Sequence, residues 1–173
     1  EQGLEEFVNK LEEAVPDINN QYSTVELNNT YLRTKVRYQH AFQISLVGRI
    51  IREFDNPVII DIGDSAGTHL QYIIKLYSKD NNITCYSVNS DAMAIERIRK
   101  RGLNAILAKA EDLDSYNIDA DIFLCFQTLE HLMDPCHFLY WLSSKTTAKY
   151  LIVTVPYLKR SRVGLYHVRG WRE

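Results

Sequence analysis

The chain has little of several things. Its 173 residues include only 3 cysteines, 4 prolines and 7 glycines. Cys85, Cys125 and Cys136 are odd in number and show no C-x-x-C spacing, and Cys85 and Cys125 fall in strand-like apolar runs. Buried free thiols in a reducing compartment are therefore expected, rather than disulfides or thiolate metal ligands. No apolar stretch approaches the ~20 residues of a membrane span, and no basic-then-apolar leader opens the chain. The expectation is a cytoplasmic protein without stable membrane insertion. Positive charge is not in excess: 20 Lys and Arg against 22 Asp and Glu give a formal net charge of −2. That balance speaks against a nucleic-acid partner, and the cluster Arg97, Arg99, Lys100, Arg101 reads as the wet face of a helix. Repeats, low-complexity tracts and heptads are lacking too.

What is present suits one globular unit, with 46% apolar residues and enough length for one sizeable core. Charge is unevenly spread: the first twenty residues are acidic, whereas Lys159, Arg160, Arg162, Arg169 and Arg172 make the last stretch basic. A basic end can attract an anionic substrate or the acidic end of the same chain.

Periodicity sets the order of elements. Leu4, Phe7, Val8, Leu11, Ala14 and Val15 recur at helical spacing until Pro16, and Val36, Ala41, Ile44, Val47, Ile50, Ile51 and Phe54 mark a longer second helix. Apolar strands are then expected at 58–62, 83–88, 104–108, 120–126 and 149–155, with helices near 67–78, 91–101 and 134–144. Continuous apolar strands alternating with helices predict a mainly parallel sheet covered on both faces: an α/β, three-layer, doubly wound fold.

In such a sheet ligands sit beyond the carboxyl ends of the strands. The first strand runs through Asp61 into Gly63-Asp64-Ser65-Ala66-Gly67-Thr68, a tight turn before a helix, where backbone N–H groups can face a nucleotide-like ligand. The second strand ends at Asn89-Ser90-Asp91, with Asp91 placed to cap the next helix. The third leads into Ala110-Glu111-Asp112-Leu113, which can serve an adenine edge or simply anchor a turn through Leu113. The fourth ends at Phe126-Gln127, then Thr128-Leu129-Glu130-His131 before the helix start Asp134-Pro135. Glu130 and His131 thus stand where substrate would meet cofactor.

Taken in order, these stretches resemble the class I S-adenosylmethionine-dependent methyltransferases, in particular the small-molecule group that includes ubiquinone- and menaquinone-biosynthesis-like members. The resemblance covers about residues 55–157 and includes Leu151–Pro156 as the family's fifth strand. It implies a Rossmann-like methyltransferase fold and S-adenosylmethionine as cofactor, held by Asp61, Gly63, Ser65, Gly67, Asn89, Ser90, Ala110, Glu111, Phe126 and Gln127. Three positions depart from the family pattern. Ser65 replaces a glycine, which requires a negative φ; Asn89 replaces a ribose-binding acid; and Lys109 stands where an Asp often meets the adenine. The family's full sheet has further C-terminal edge strands, which this chain is expected to lack. Residues 1–54 would form a helical cap and first packing helix on a cofactor-binding core at 55–173, one domain overall.

The implied reaction is methyl transfer to an oxygen, less readily a nitrogen or carbon, of a small and potentially anionic metabolite. His131 is the candidate base, oriented by Glu130; His167 is a second candidate; and Tyr31, Arg37 and Arg169 are candidates for substrate binding. No metal is expected, and a monomer or homodimer is. Two other readings stand beside this one: a non-catalytic binder or scaffold of the same fold, and an NAD-dependent oxidoreductase, whose glycine loop is usually one residue tighter.

Overall fold

The structure is a computed structural model that describes residues 2–22, 27–78 and 82–156. Two N-terminal helices, α1 (Gln2–Ala14) and α2 (Thr30–Ile50), lead into β1 (Val58–Ile62). There follow α3 (Thr68–Tyr77), β2 (Thr84–Asn89), α4 (Ala92–Lys100), β3 (Asn104–Leu107), β4 (Ile122–Phe126), α5 (Pro135–Lys145) and β5 (Tyr150–Thr154). Short 3-10 turns cover Ile51–Glu53, Ala110–Ser115 and Leu129–His131.

All pairings are parallel, in the order β3-β2-β1-β4-β5. The chain first winds outward from β1 through β2 to β3, then returns to lay β4 on the other side of β1. The switch point therefore lies between β1 and β4, where loops leave in opposite directions and open a crevice. This is the mainly parallel, doubly wound α/β sheet expected from the strand pattern.

The helices start where the sequence supplies caps. Asn29 accepts from Leu32 N at 2.8 Å to open α2, and Asp91 accepts from Met93 N at 2.9 Å to open α4. Asp134 accepts from His137 N at 2.9 Å, with Pro135 in the first turn of α5. Each satisfies an N–H that the helix leaves unpaired, with proline placed where its missing N–H costs nothing.

Two apolar layers sandwich the sheet. One joins Val8, Leu11 and Val15 of α1, Ile44 and Val47 of α2, and Leu70, Tyr72 and Ile73 of α3 to Ile59, Cys85, Ile122 and Leu124. The other joins Ile60, Ile62, Val88, Phe123 and Cys125 to Leu113 and to Phe138, Trp141 and Leu142 of α5. Alternate residues of β1 and of β4 thus feed opposite layers, as a pleat with period two requires. Every residue of β4 is buried, which is why its sequence reads as an unbroken apolar run.

The cysteines are all unpaired; Cys85 and Cys125 are buried, and Cys136 is exposed. Burial pushes both buried thiols up to about 12, so they behave as small apolar side chains.

Candidate cofactor and active site

Two cavities open at the carboxyl ends of β1, β2 and β4 and share Gly63, Asn89, Ser90, Thr128 and His131 as a common border. They form one cleft with two lobes. The lower lobe, about 310 Å³, runs between Ile62, Val88, Ala108, Lys109, Ala110 and Glu111 on one side and Leu132 and Met133 on the other. The upper lobe, about 350 Å³, lies between α2 and the β1 and β4 ends; Gln39, His40, Gln43, Asp64, His69, Phe126 and Gln127 line it. A larger cavity of about 560 Å³ is bounded by residues 114–119 and α5. It runs along α5 from His137 to Lys145 and takes in none of the residues that directly follow the strands, where a parallel sheet holds its cofactor.

The first glycine loop is built from long-range contacts. Gly63 has φ +94°, and a Cβ there would stand 2.2 Å from Thr128 Oγ1, so the β1 loop closes against the β4 loop only because position 63 has no side chain. Gly67 has φ +74° at the start of α3, and its missing Cβ makes room for Leu103 Cδ1 at 2.5 Å. Gly67 thus serves helix packing and does not line the cleft. Among the described non-glycine residues only Gln127 has a positive φ (54°), so Ser65 meets the condition its departure from glycine imposes. The Ser65 hydroxyl donates to Gln21 O, and its carbonyl accepts from Arg97 Nη2 at 3.1 Å.

Behind this loop sits a buried charged cluster that the residue-by-residue reading missed. His69, in the first turn of α3, places Nδ1 3.0 Å from Asp61 Oδ2 and 3.7 Å from Asp64 Oδ2. The Asp64 carboxylate also accepts from Ala66 N (3.1 Å), His69 N (3.1 Å) and Gln21 Nε2 (3.3 Å). Burial opposes charge on His69, yet Asp64 and Asp61 outweigh it and push the imidazole up to about 9. Asp61, whose main perturbation is burial, rises to about 6 despite His69. His40 of α2 meets His69 edge-on, ring centroids 4.8 Å apart. Burial, then His69 and Arg37, hold His40 well below its usual range, so the pair divides into one charged and one neutral ring. The carboxylate and imidazole atoms of Asp61, Asp64 and His69 lie within 4.8 Å of one another, but with these donors in place the group is a hydrogen-bonded network that ties β1 to α3. Two signals for it were in the sequence: an acid inside the glycine loop, and a histidine two residues past the loop's last glycine.

The other expected site residues divide as follows. Asn89 and Ser90 border both lobes. The Asn89 amide donates to Asp64 O at 3.2 Å, and its oxygen accepts from Asp91 N at 2.8 Å. Ala110 and Glu111 wall the lower lobe, and Glu111 Oε1 also accepts from Met133 N at 3.0 Å; Leu113 is fully buried as an anchor. Phe126 and Gln127 line the upper lobe, where the Gln127 N–H donates to Thr154 O at 2.7 Å. His131 lines both lobes, its Nε2 3.9 Å from Oε1 of the buried Glu130.

Arg37 requires a correction. It does not face the cleft: its guanidinium is buried between α1, α2 and α3, donating to Leu11 O at 3.3 Å, to Pro16 O at 2.6 Å and to the Tyr72 hydroxyl. It is a bracket between helices, not a substrate group. Tyr31, 75% exposed at the start of α2, lines neither lobe. His167 and Arg169 lie outside the described residues.

The sheet order and the cleft at its switch point are those of a Rossmann-like fold, and solved structures of methyltransferases with this fold superpose on the chain. A plantazolicin methyltransferase in complex with S-adenosylhomocysteine (SAH) matches at TM-score 0.55 and 17% identity, covering 88% of this chain and 61% of that one. Coclaurine N-methyltransferase bound to N-methylheliamine and SAH matches at 0.57 and 16%, covering 86% and 50%. A small RNA methyltransferase matches at 0.60 and 20%, covering 76% and 19%. The chain therefore spans 61% or less of the length of these proteins. No family model and no curated protein matches it.

Proposed function

We propose that this protein transfers a methyl group from S-adenosylmethionine to an oxygen atom of a small metabolite. The observation that carries the reading is the two-lobed cleft at the carboxyl ends of the strands, with His131 on the border between the lobes.

The residues present fit that cofactor. The lower lobe offers apolar walls from Ile62, Val88, Ala108 and Leu132, with polar edges at Lys109 and Glu111, which suits a flat heteroaromatic ring. Asn89 and Ser90, on the border, suit a ribose. The upper lobe, beside the Gly63–Ser65 turn, would take the amino-acid tail.

When bound, S-adenosylmethionine supplies an electrophilic methyl on a cationic sulfur. The protein's part is to hold the acceptor oxygen in line with that methyl and to keep water away. Phe126, Gln127 and Thr128 carry the acceptor side of the border. His131 accepts the proton that the hydroxyl gives up, since an imidazole changes protonation near neutral pH. Glu130, buried beside it with Oε1 3.9 Å from Nε2, is placed to orient the ring.

The test is transfer of labelled methyl to an acceptor pool by the wild type and His131→Ala. The reading expects turnover to fall by about 10²-fold or more with S-adenosylmethionine affinity kept. Binding without any turnover would favour the non-catalytic alternative; equal turnover in both proteins would remove His131 as the base.

A further inference from the structure

We infer that the acceptor is an uncharged, hydroxyl-rich molecule of the sugar class, held in the upper lobe by side-chain amides. This rests on the methyltransferase reading and names the substrate class of that site.

Charge comes first. Among the described residues no lysine or arginine lines the upper lobe. The guanidiniums nearby are committed to backbone carbonyls: Arg37 to Leu11 O and Pro16 O, Arg97 to Ser65 O, Arg101 to Ala66 O. The lobe's own carboxylate is Asp64. Asp64 is already paired with His69, so among the described residues an anionic acceptor would find no free cationic side chain to receive it, which disfavours carboxylated and phosphorylated acceptors.

Aliphatic side chains are lacking as well. A site for a lipophilic ring or acyl chain is lined mostly by aliphatic and aromatic side chains. No aliphatic side chain of the Leu, Ile, Val or Met type lines the upper lobe, and Tyr22 and Phe126 are its only phenyl-type rings. Its exposed or half-buried lining includes Tyr22, Gln39, Ser90, Gln127, Thr128 and His131, side chains that donate and accept hydrogen bonds. A carboxamide offers both functions at once, as does each hydroxyl of a sugar, so the two sets match group for group.

The floor points the same way. Gln21 Oε1 and Gln43 Oε1 are buried and have no hydrogen-bond partner among the described residues, while their amide nitrogens are used by Asp64 and Thr154. Buried acceptors left over in this way call for donors, which hydroxyl groups supply and aromatic ethers or ketones do not.

The test is saturation-transfer NMR on the protein loaded with SAH, whose binding is measured first by calorimetry. The probes are methyl pyranosides of the common hexose and 6-deoxyhexose configurations, with glucuronate and catechol as the anionic and aromatic comparisons. Signal on at least one pyranoside, with little on glucuronate or catechol, is expected. Gln39→Leu, at a half-buried helix position, should weaken that signal at least about fivefold while SAH affinity stays the same. If SAH binds and the pyranosides give no signal, or glucuronate or catechol outcompetes them, the sugar assignment is overturned and the methyltransferase reading survives. If SAH does not bind, both fall.

Discussion

His69 Nδ1 lies 3.0 Å from Asp61 Oδ2, a buried ion pair that ties the first turn of α3 to the end of β1 directly behind the glycine loop. Asp64 lies 3.7 Å from the same nitrogen, so two carboxylates share one imidazolium. The loop's shape therefore depends on charge as well as on its glycines.

This arrangement predicts a pH-dependent stability. His69 is raised from 6.5 to about 9 in the folded protein, so it binds its proton more tightly folded than unfolded. Its stabilisation is whole below pH 6.5 and is lost as pH rises through about 9. Asp61, raised from 3.8 to about 6, acts in the same direction at lower pH. Melting temperature should therefore fall between pH 6.5 and 9, and more steeply in the wild type than in His69→Asn. Parallel profiles for the two proteins would show that the pair does not titrate in this way.

Position 63 should tolerate no side chain. Gly63→Ala combines φ +94° with a clash against Thr128 and should cost about 2 kcal/mol or more in denaturant unfolding. Thr128→Ala removes the two closest atoms, Oγ1 at 2.2 Å and Cγ2 at 2.7 Å. The double variant should therefore recover part of the loss, leaving the strain of the positive φ. Strictly additive losses would contradict the contact.

Arg37→Met should lower stability by about 2–3 kcal/mol, because it removes charge-assisted bonds to Leu11 O and Pro16 O and leaves the Tyr72 hydroxyl without its donor. Ligand affinity of the folded fraction should be unchanged. A variant with unaltered melting but impaired binding would return Arg37 to the site.

Asn89→Asp tests whether an acid belongs at the end of β2. The carboxylate would gain a charge-assisted bond to a ribose hydroxyl but would lose the amide's donation to Asp64 O at 3.2 Å. The unliganded domain should be destabilised by about 1 kcal/mol, read by thermal melting. An unchanged or higher melting point would mean that the Asn89–Asp64 link carries no weight in the fold.

The sheet was legible because its signals are local. The apolar run of β4 and the helical spacing in α1 state burial without knowledge of partners, and Asp91 and Asp134 announce the helices they cap. The candidate site was legible only in part, because its geometry is set by residues distant in sequence. Nothing near Gly63 names Thr128 as its neighbour, and nothing near Asp64 names Gln21. Arg37 was misread because a basic side chain suggests a ligand, although its spacing to His40, Ala41 and Ile44 puts it on the buried face of α2. Gln43 shares that face with His40 and was passed over because a polar residue on an apolar stripe is easily taken for a packing irregularity. The cleft adds an assignment that no local motif contains: they stand over the β4 end, where the acceptor would lie.

The most direct measurement of the central claim is calorimetric titration of the folded protein with S-adenosylmethionine and, separately, with NADH. The account predicts saturable binding of S-adenosylmethionine at about micromolar concentration, or −8 kcal/mol, and none of NADH. No binding of S-adenosylmethionine by a chain with an intact melting transition, or binding of NADH in its place, would contradict it.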